Sequence, residues 1–290
     1  QTTDAAQILP VGSLGTSYRV EALPGTNVAF PNGTYMFRSE FMIVATEDGT
    51  TLEITPTSTT TAGNPANVPF TVSLNAGQTY QVQAFNGTAD LTGTFVQATD
   101  ASGPCRPFAV FGGSMCAVVG CAACDHVNEQ MVPTNAWGSE FRTVPLGNTL
   151  VQGYRVQAGE DDTWVTIDGG SPIHLNAGQY HEVLNSTQPV CISGDKPISV
   201  TEIMEGMTCA GSGDPSLLVL EPNDRMSTSS IFTTFPSTQA GVMHYISVLS
   251  ATGSIGQMQL DGTPIPPALF GTYAACPGYS YAKMAVAPGT

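Results

Sequence analysis

The chain has 290 residues, 8 Lys+Arg against 23 Asp+Glu, a formal net charge of −15 and a pI near 4.3. Basic side chains are too sparse to neutralise a run of phosphates or to dock on anionic lipid, so no nucleic acid partner is expected. No stretch approaches the roughly 20 apolar residues that span a bilayer, so no membrane insertion is expected either.

Charged residues are only 11% of the chain, with 31 Gly, 21 Pro and many Thr, Val and Asn. Runs of good helix formers are absent, which favours strands and turns. A hydrophobic content of 41% is too high for a disordered chain. The opening Gln1-Thr2-Thr3 has no charged and apolar leader, as expected once a secretion signal has been removed.

Along the chain, Leu14-Gly-Thr-Ser-Tyr-Arg19 is the first strand-like segment, and it returns as Trp137-Gly-Ser-Glu-Phe-Arg142. Phe41-Met-Ile-Val-Ala-Thr-Glu-Asp-Gly-Thr-Thr-Leu-Glu-Ile54 aligns without a gap on Tyr154-Arg-Val-Gln-Ala-Gly-Glu-Asp-Asp-Thr-Trp-Val-Thr-Ile167. The polar stretch 57–67 reads as an inserted loop of the first copy. Leu74-Asn-Ala-Gly-Gln78 then recurs identically as Leu175-Asn-Ala-Gly-Gln179, and Arg106-Pro-Phe-Ala-Val110 matches Lys196-Pro-Ile-Ser-Val200. A third, fainter copy starts near Ser229 and runs through Tyr245–Gly253 and Met258–Gly262. It stops before its Lys/Arg-Pro strand, so either the natural chain continues or that unit borrows a strand.

Self-similarity at this period predicts tandem β units of roughly 100 residues. The expected divisions are 1–132, 133–228 and 229–290. Within the second copy, alternation predicts one hairpin from Tyr154–Ala158 and Thr163–Ile167, and another from Ile173–Leu175 and Tyr180–Val183. Six or seven strands per hundred residues is the count of a β-sandwich, so an all-β, sandwich-like fold is predicted. A propeller-like arrangement is the alternative, although blades are usually about 40–50 residues.

The seven cysteines fall at 105, 116, 121, 124, 191, 209 and 276. Cys116, Cys121, Cys124 and His126 have the letters of a tetrahedral zinc site. Against zinc, Cys209 keeps the place of Cys116 in the next copy while Pro215 sits near the place of His126, so disulfides are preferred. The preferred pairing is Cys116–Cys124, Cys105–Cys121 and Cys191–Cys209, with Cys276 left over; six cysteines alone allow 15 pairings. Such bridges point to an oxidising, extracellular setting.

Glu47-Asp48-Gly and Glu160-Asp161-Asp162 occupy one repeat position, and acidic turns can hold calcium. The third copy carries Ser250-Ala-Thr-Gly253 there, so turn chemistry is favoured and no cofactor is expected. Asp125, His126 and Glu129 could be drawn as an acid–base cluster, but no nucleophile elbow accompanies them and no catalytic residue is nominated. Trp137, Phe141, Tyr154, Trp164 and Tyr80 all sit in strand positions, which favours core packing over a sugar-stacking platform.

Three runs carry a resemblance. They are Arg106-Pro-Phe-Ala-Val-Phe-Gly-Gly-Ser-Met-Cys116-Ala, then Cys124-Asp125-His126-Val-Asn-Glu129-Gln130, then Trp137-Gly138-Ser-Glu-Phe141. Together they resemble the N-terminal domain of the IgG Fc-binding protein family, which includes animal mucus proteins and large bacterial surface proteins. Cys105 and Cys121 depart from that pattern. The resemblance implies a non-catalytic, extracellular module for adhesion to glycoproteins or other surfaces, without implying IgG as the ligand. Two further readings compete: a subunit of an extracellular filament or surface layer assembled by strand exchange, and a carbohydrate-binding module.

Overall fold

The computed structural model describes residues 6–99, 105–121, 124–234 and 243–287. Strands dominate throughout. The first stretch holds β1 (Ser17–Arg19), β2 (Thr26–Phe30), β3 (Gly33–Phe37), β4 (Ser39–Ala45), β5 (Thr50–Thr55), β6 (Phe70–Leu74), β7 (Thr79–Gln83), β8 (Phe95–Ala98), β9 (Phe108–Ala117) and β10 (Asp125–Gln130). Two antiparallel layers form, in the orders β1-β8-β5-β6 and β10-β9-β4-β7. β2 and β3 pair only with each other.

Alternation along these strands builds the core, because successive side chains point to opposite faces. Phe41, Ile43 and Ala45 of β4 meet Leu52 and Ile54 of β5, Val96 of β8 and Phe108 and Val110 of β9 in one buried cluster between the layers. Each fully buried side chain of this size contributes about 1.5–3 kcal/mol. This is the face-to-face arrangement of a sandwich.

The second stretch holds β11 (Gly138–Arg142), β12 (Gln152–Ala158), β13 (Thr163–Ile167), β14 (Ile173–Leu175), β15 (Tyr180–Ser186), β16 (Cys191–Met204), the short helix α1 (Met207–Ala210) and β17 (Ser216–Val219). One long strand serves both layers. The first part of β16 pairs with β11 and β13, and its last part pairs with β12 and β17. The resulting orders, β11-β16-β13-β14 and β17-β16-β12-β15, follow those of the first stretch, where β8 and β9 do the work of β16. Its core gathers Phe141, Tyr154, Val156, Val165, Ile192 and Val200.

The third stretch holds β18 (His244–Ala251), β19 (Gln259–Leu260), β20 (Thr263–Pro264), β21 (Gly271–Thr272) and β22 (Tyr279–Val286). β18 pairs with β22, β22 with β21, and β19 with β20.

The expected hairpins need one correction. β12 and β13 do not pair, nor do β14 and β15; the ladder partners are β12 with β15 and β13 with β14. The turns at 159–162 and 176–179 are corners between layers. Alternation identifies a strand but is silent on which strand it joins, since either partner buries the same face.

Candidate functional site

The motif residues lie along the passage from the first sandwich to the second. Asp125 opens β10, where its Oδ1 accepts the His126 backbone N–H at 2.8 Å. Glu129 is buried and its Oε1 accepts the Gln130 N–H at 3.1 Å; the Gln130 Oε1 accepts the Leu9 N–H at 2.7 Å. Trp137 is buried, with its indole N–H donating to the Val132 carbonyl at 3.2 Å. Phe141 is sunk in the second core.

Gly138 has a steric reason. A Cβ there would lie 2.4 Å from the Pro222 Cβ, as one at Gly15 would lie 2.4 Å from the Pro133 Cβ. In both sandwiches the incoming strand thus closes against a proline of the outgoing segment, and only glycine leaves room.

The cysteines staple rather than chelate. Cys116 bonds to Cys124, Cys121 to Cys209 and Cys191 to Cys276, while Cys105 is free and exposed. The expected Cys105–Cys121 and Cys191–Cys209 pairs are not made. A strand separates each of those pairs: β9 lies between 105 and 121, and β16 between 191 and 209. At about 3.3 Å per residue such strands carry the two ends tens of ångströms apart. Three of the four residues weighed as zinc ligands have their sulfurs in these bridges.

The repeated acidic turns clasp the repeated Asn-Ala-Gly-Gln turns. Asp48 Oδ1 accepts the Ala76 N–H at 3.0 Å and Asn75 Oδ1 accepts the Gly49 N–H at 3.1 Å. In the second sandwich Asp161 Oδ1 accepts the Ala177 N–H at 3.0 Å and Asn176 Oδ1 the Asp162 N–H at 3.2 Å. Each pair of corners is locked by reciprocal side chain to backbone bonds.

A charged cluster at the junction was not anticipated. Arg155, on the outer face of β12 and only 2% exposed, donates to Asp90 at 3.0 Å and to Glu182 at 2.5 Å. It also donates to the Ala22 carbonyl at 2.7 Å and covers the Tyr180 ring at 4.3 Å. Burial opposes its charge, but Asp90 and Glu182 more than offset that, and its pKa rises. Beside it Glu21 is buried with both carboxyl oxygens unpartnered. Burial foremost, tempered by Arg155 and reinforced by Asp90, pushes its carboxyl up to about 8. The available signal was an arginine in a strand of a chain with only 8 Lys+Arg.

Trp164 corrects another expectation. It stands 48% exposed on the outer side of β13, its ring 4.8 Å from that of His174, whose Nε2 lies 3.1 Å from Asp162 Oδ1. Trp137, Phe141 and Tyr154 are core residues as expected, and Tyr80 packs against the first core. His126 lines a second exposed feature, a concavity of about 160 Å³ on the outer face of the β10-β9-β4-β7 layer.

Stacked β-sandwiches joined by disulfides, with signature residues spent on closing the fold and aromatic and polar groups left on sheet faces, have the build of an extracellular binding module. Among the described residues no helix is long and apolar enough to cross a membrane. The chain belongs to the IgGFc binding protein family, whose match covers residues 4–290. It is similar to the human IgGFc-binding protein, with 26% identity over 293 residues. That alignment covers 98% of this chain and 5% of the relative, so the chain spans a small fraction of that protein's length. No solved structure matches the chain.

Proposed function

We propose that this chain is a non-catalytic adhesion module, secreted after removal of a signal segment, that holds a glycoprotein or another cell-surface partner outside the cell. Family membership supports a binding role. The observation that carries the finer reading is the Trp164–His174 pair. A half-exposed indole beside an imidazole and the Asp162 carboxylate offers an apolar ring face and hydrogen-bonding groups, the combination that recognises a sugar ring. The carbohydrate-binding reading is thereby absorbed into the glycoprotein one.

The inserted loop 57–67 offers a second contact. Thr60 is buried and bridges to Ala84, while Thr61, Ala62 and Gly63 stand exposed at the tip. Biolayer interferometry against an immobilised mucin-type glycoprotein, intact and enzymatically deglycosylated, tests the reading. The human relative's name adds the IgG Fc region as a further glycoprotein to immobilise. Trp164→Ala is expected to weaken binding at least tenfold, and deglycosylation to do the same. Undiminished binding in both cases would remove the proposal.

A filament or surface-layer subunit is the second reading, favoured by one observation. Among the described residues β18 pairs only with β22 along its length, whereas β4 and β12 each lie between two strands. A strand with an open edge can accept one from another chain. The parallel strand orders support treating 1–132, 133–228 and 229–290 as copies of one duplicated unit.

A further inference from the structure

The junctions between sandwiches follow one scheme. At the first, the Val20 carbonyl accepts from Gln157 Nε2 at 3.2 Å and the Ala22 carbonyl from Arg155 at 2.7 Å. At the second, the Thr143 carbonyl accepts from the Tyr273 hydroxyl at 2.7 Å and the Pro145 carbonyl from Ser247 Oγ at 2.6 Å. Val20 and Thr143 hold the same place, each donating its own N–H to the residue just before β8 or β16, Thr94 and Val190. Docking is therefore directional: the segment leaving the first strand of one sandwich presents two carbonyls, and the next stretch presents donors around its leading strand.

Burial shows what docking does to that strand. All seven residues of β12 are buried, because the first sandwich sits on its outer face. β4 has the same ladder position, with Met42 opposite Gln81 as Arg155 is opposite Glu182. Its seven residues alternate between buried and half-buried, so its outer face is uncovered.

We propose that this uncovered face is a docking surface for a second copy of the chain, which seats its own sandwich end there as the internal junctions do. Its chemistry suits that occupant. Glu40, Met42, Gln81, Phe111, His126 and Asn128 line the concavity on this face. Methionine and aromatic side chains are enriched in interface cores, and amide and imidazole groups provide donors for backbone carbonyls. The contact is heterologous, carbonyl-bearing end to sheet face, so it propagates copies head to tail unless the rotation closes a ring. This proposal is independent of the glycoprotein reading, which uses the Trp164 surface.

Sedimentation velocity of the intact, disulfide-bonded chain from micromolar to several hundred micromolar tests it. Concentration-dependent association is expected in the wild type. Met42→Glu combined with Gln81→Glu sets two new carboxylates beside Glu40 and is expected to raise the dissociation constant at least tenfold, with Trp164→Ala as a neutral control. A photo-crosslinking residue at position 81 covers the case in which the double variant fails to fold: it should capture a second copy. A wild type that stays monomeric throughout overturns the proposal. So does association that the folded double variant leaves unchanged, which would point to the β18 edge, or associated protein that yields no crosslink from position 81.

Discussion

The guanidinium of Arg155 lies 3.0 Å from the carboxylate of Asp90, and the two residues belong to different sandwiches. This buried pair, with Glu182 and the Ala22 carbonyl, makes the first two sandwiches one structural body. Removing one partner of a buried pair leaves the other charge uncompensated, at a cost of about 3–5 kcal/mol. Arg155→Met should therefore lower the urea midpoint sharply while Arg225→Met, at an exposed arginine, should change it little. Equal midpoints for the two variants would show that the cluster does not hold the junction.

Glu21 sets a pH dependence. Its carboxyl is pushed up to about 8 when folded, against an ordinary value of 4.5, chiefly by burial. Between those values the folded chain keeps a proton that the unfolded chain has released, so stability falls as pH rises. The contribution is complete below pH 4.5 and lost by the time the folded value is passed. Glu21→Gln, which cannot ionise, should flatten the decline between pH 5 and pH 8.5 in urea titrations. A wild type and variant with parallel profiles would contradict the assignment.

Gly138 should tolerate no side chain. A Cβ 2.4 Å from that of Pro222 must displace the closing segment, and overpacking of this kind costs about 1–3 kcal/mol. Gly138→Ala should lower the thermal midpoint, whereas Gly12→Ala, where a Cβ meets nothing within 4 Å, should leave it in place. Similar losses at both positions would argue against the glycine–proline closure.

The disulfides differ in leverage. Cys121–Cys209 and Cys191–Cys276 close loops of 88 and 85 residues, and Cys116–Cys124 closes one of 8. In the chain-entropy view the long loops are worth about 4–5 kcal/mol each and the short one about 2.5. Paired Cys→Ser replacement should destabilise in that order. Non-reducing peptide mapping should return these three links and a free Cys105; a Cys105–Cys121 peptide would refute the arrangement.

Much of the candidate site was legible, and its gaps have a common cause. The motif residues from Asp125 to Phe141 could be picked out in advance, yet their contacts with Leu9, Val132 and Pro222 lie at the far ends of the sandwiches. Trp164 was expected inside because it alternates with Val165, but alternation places one residue in and the next out without saying which. Arg155 carried too little local signal, since its partners Ala22 and Asp90 come from another sandwich.

Local chemistry alone specified the strands, the turn residues and the likeness of residues 41–54 to 154–167, because backbone preference and side-chain alternation act over a few neighbours. Only the assembled molecule decided that β12 joins β15 instead of β13, that Cys121 finds Cys209, and that the face of β4 stays uncovered while that of β12 is buried. Those outcomes depend on distances between residues dozens to more than a hundred positions apart, which packing sets and no short window of residues contains.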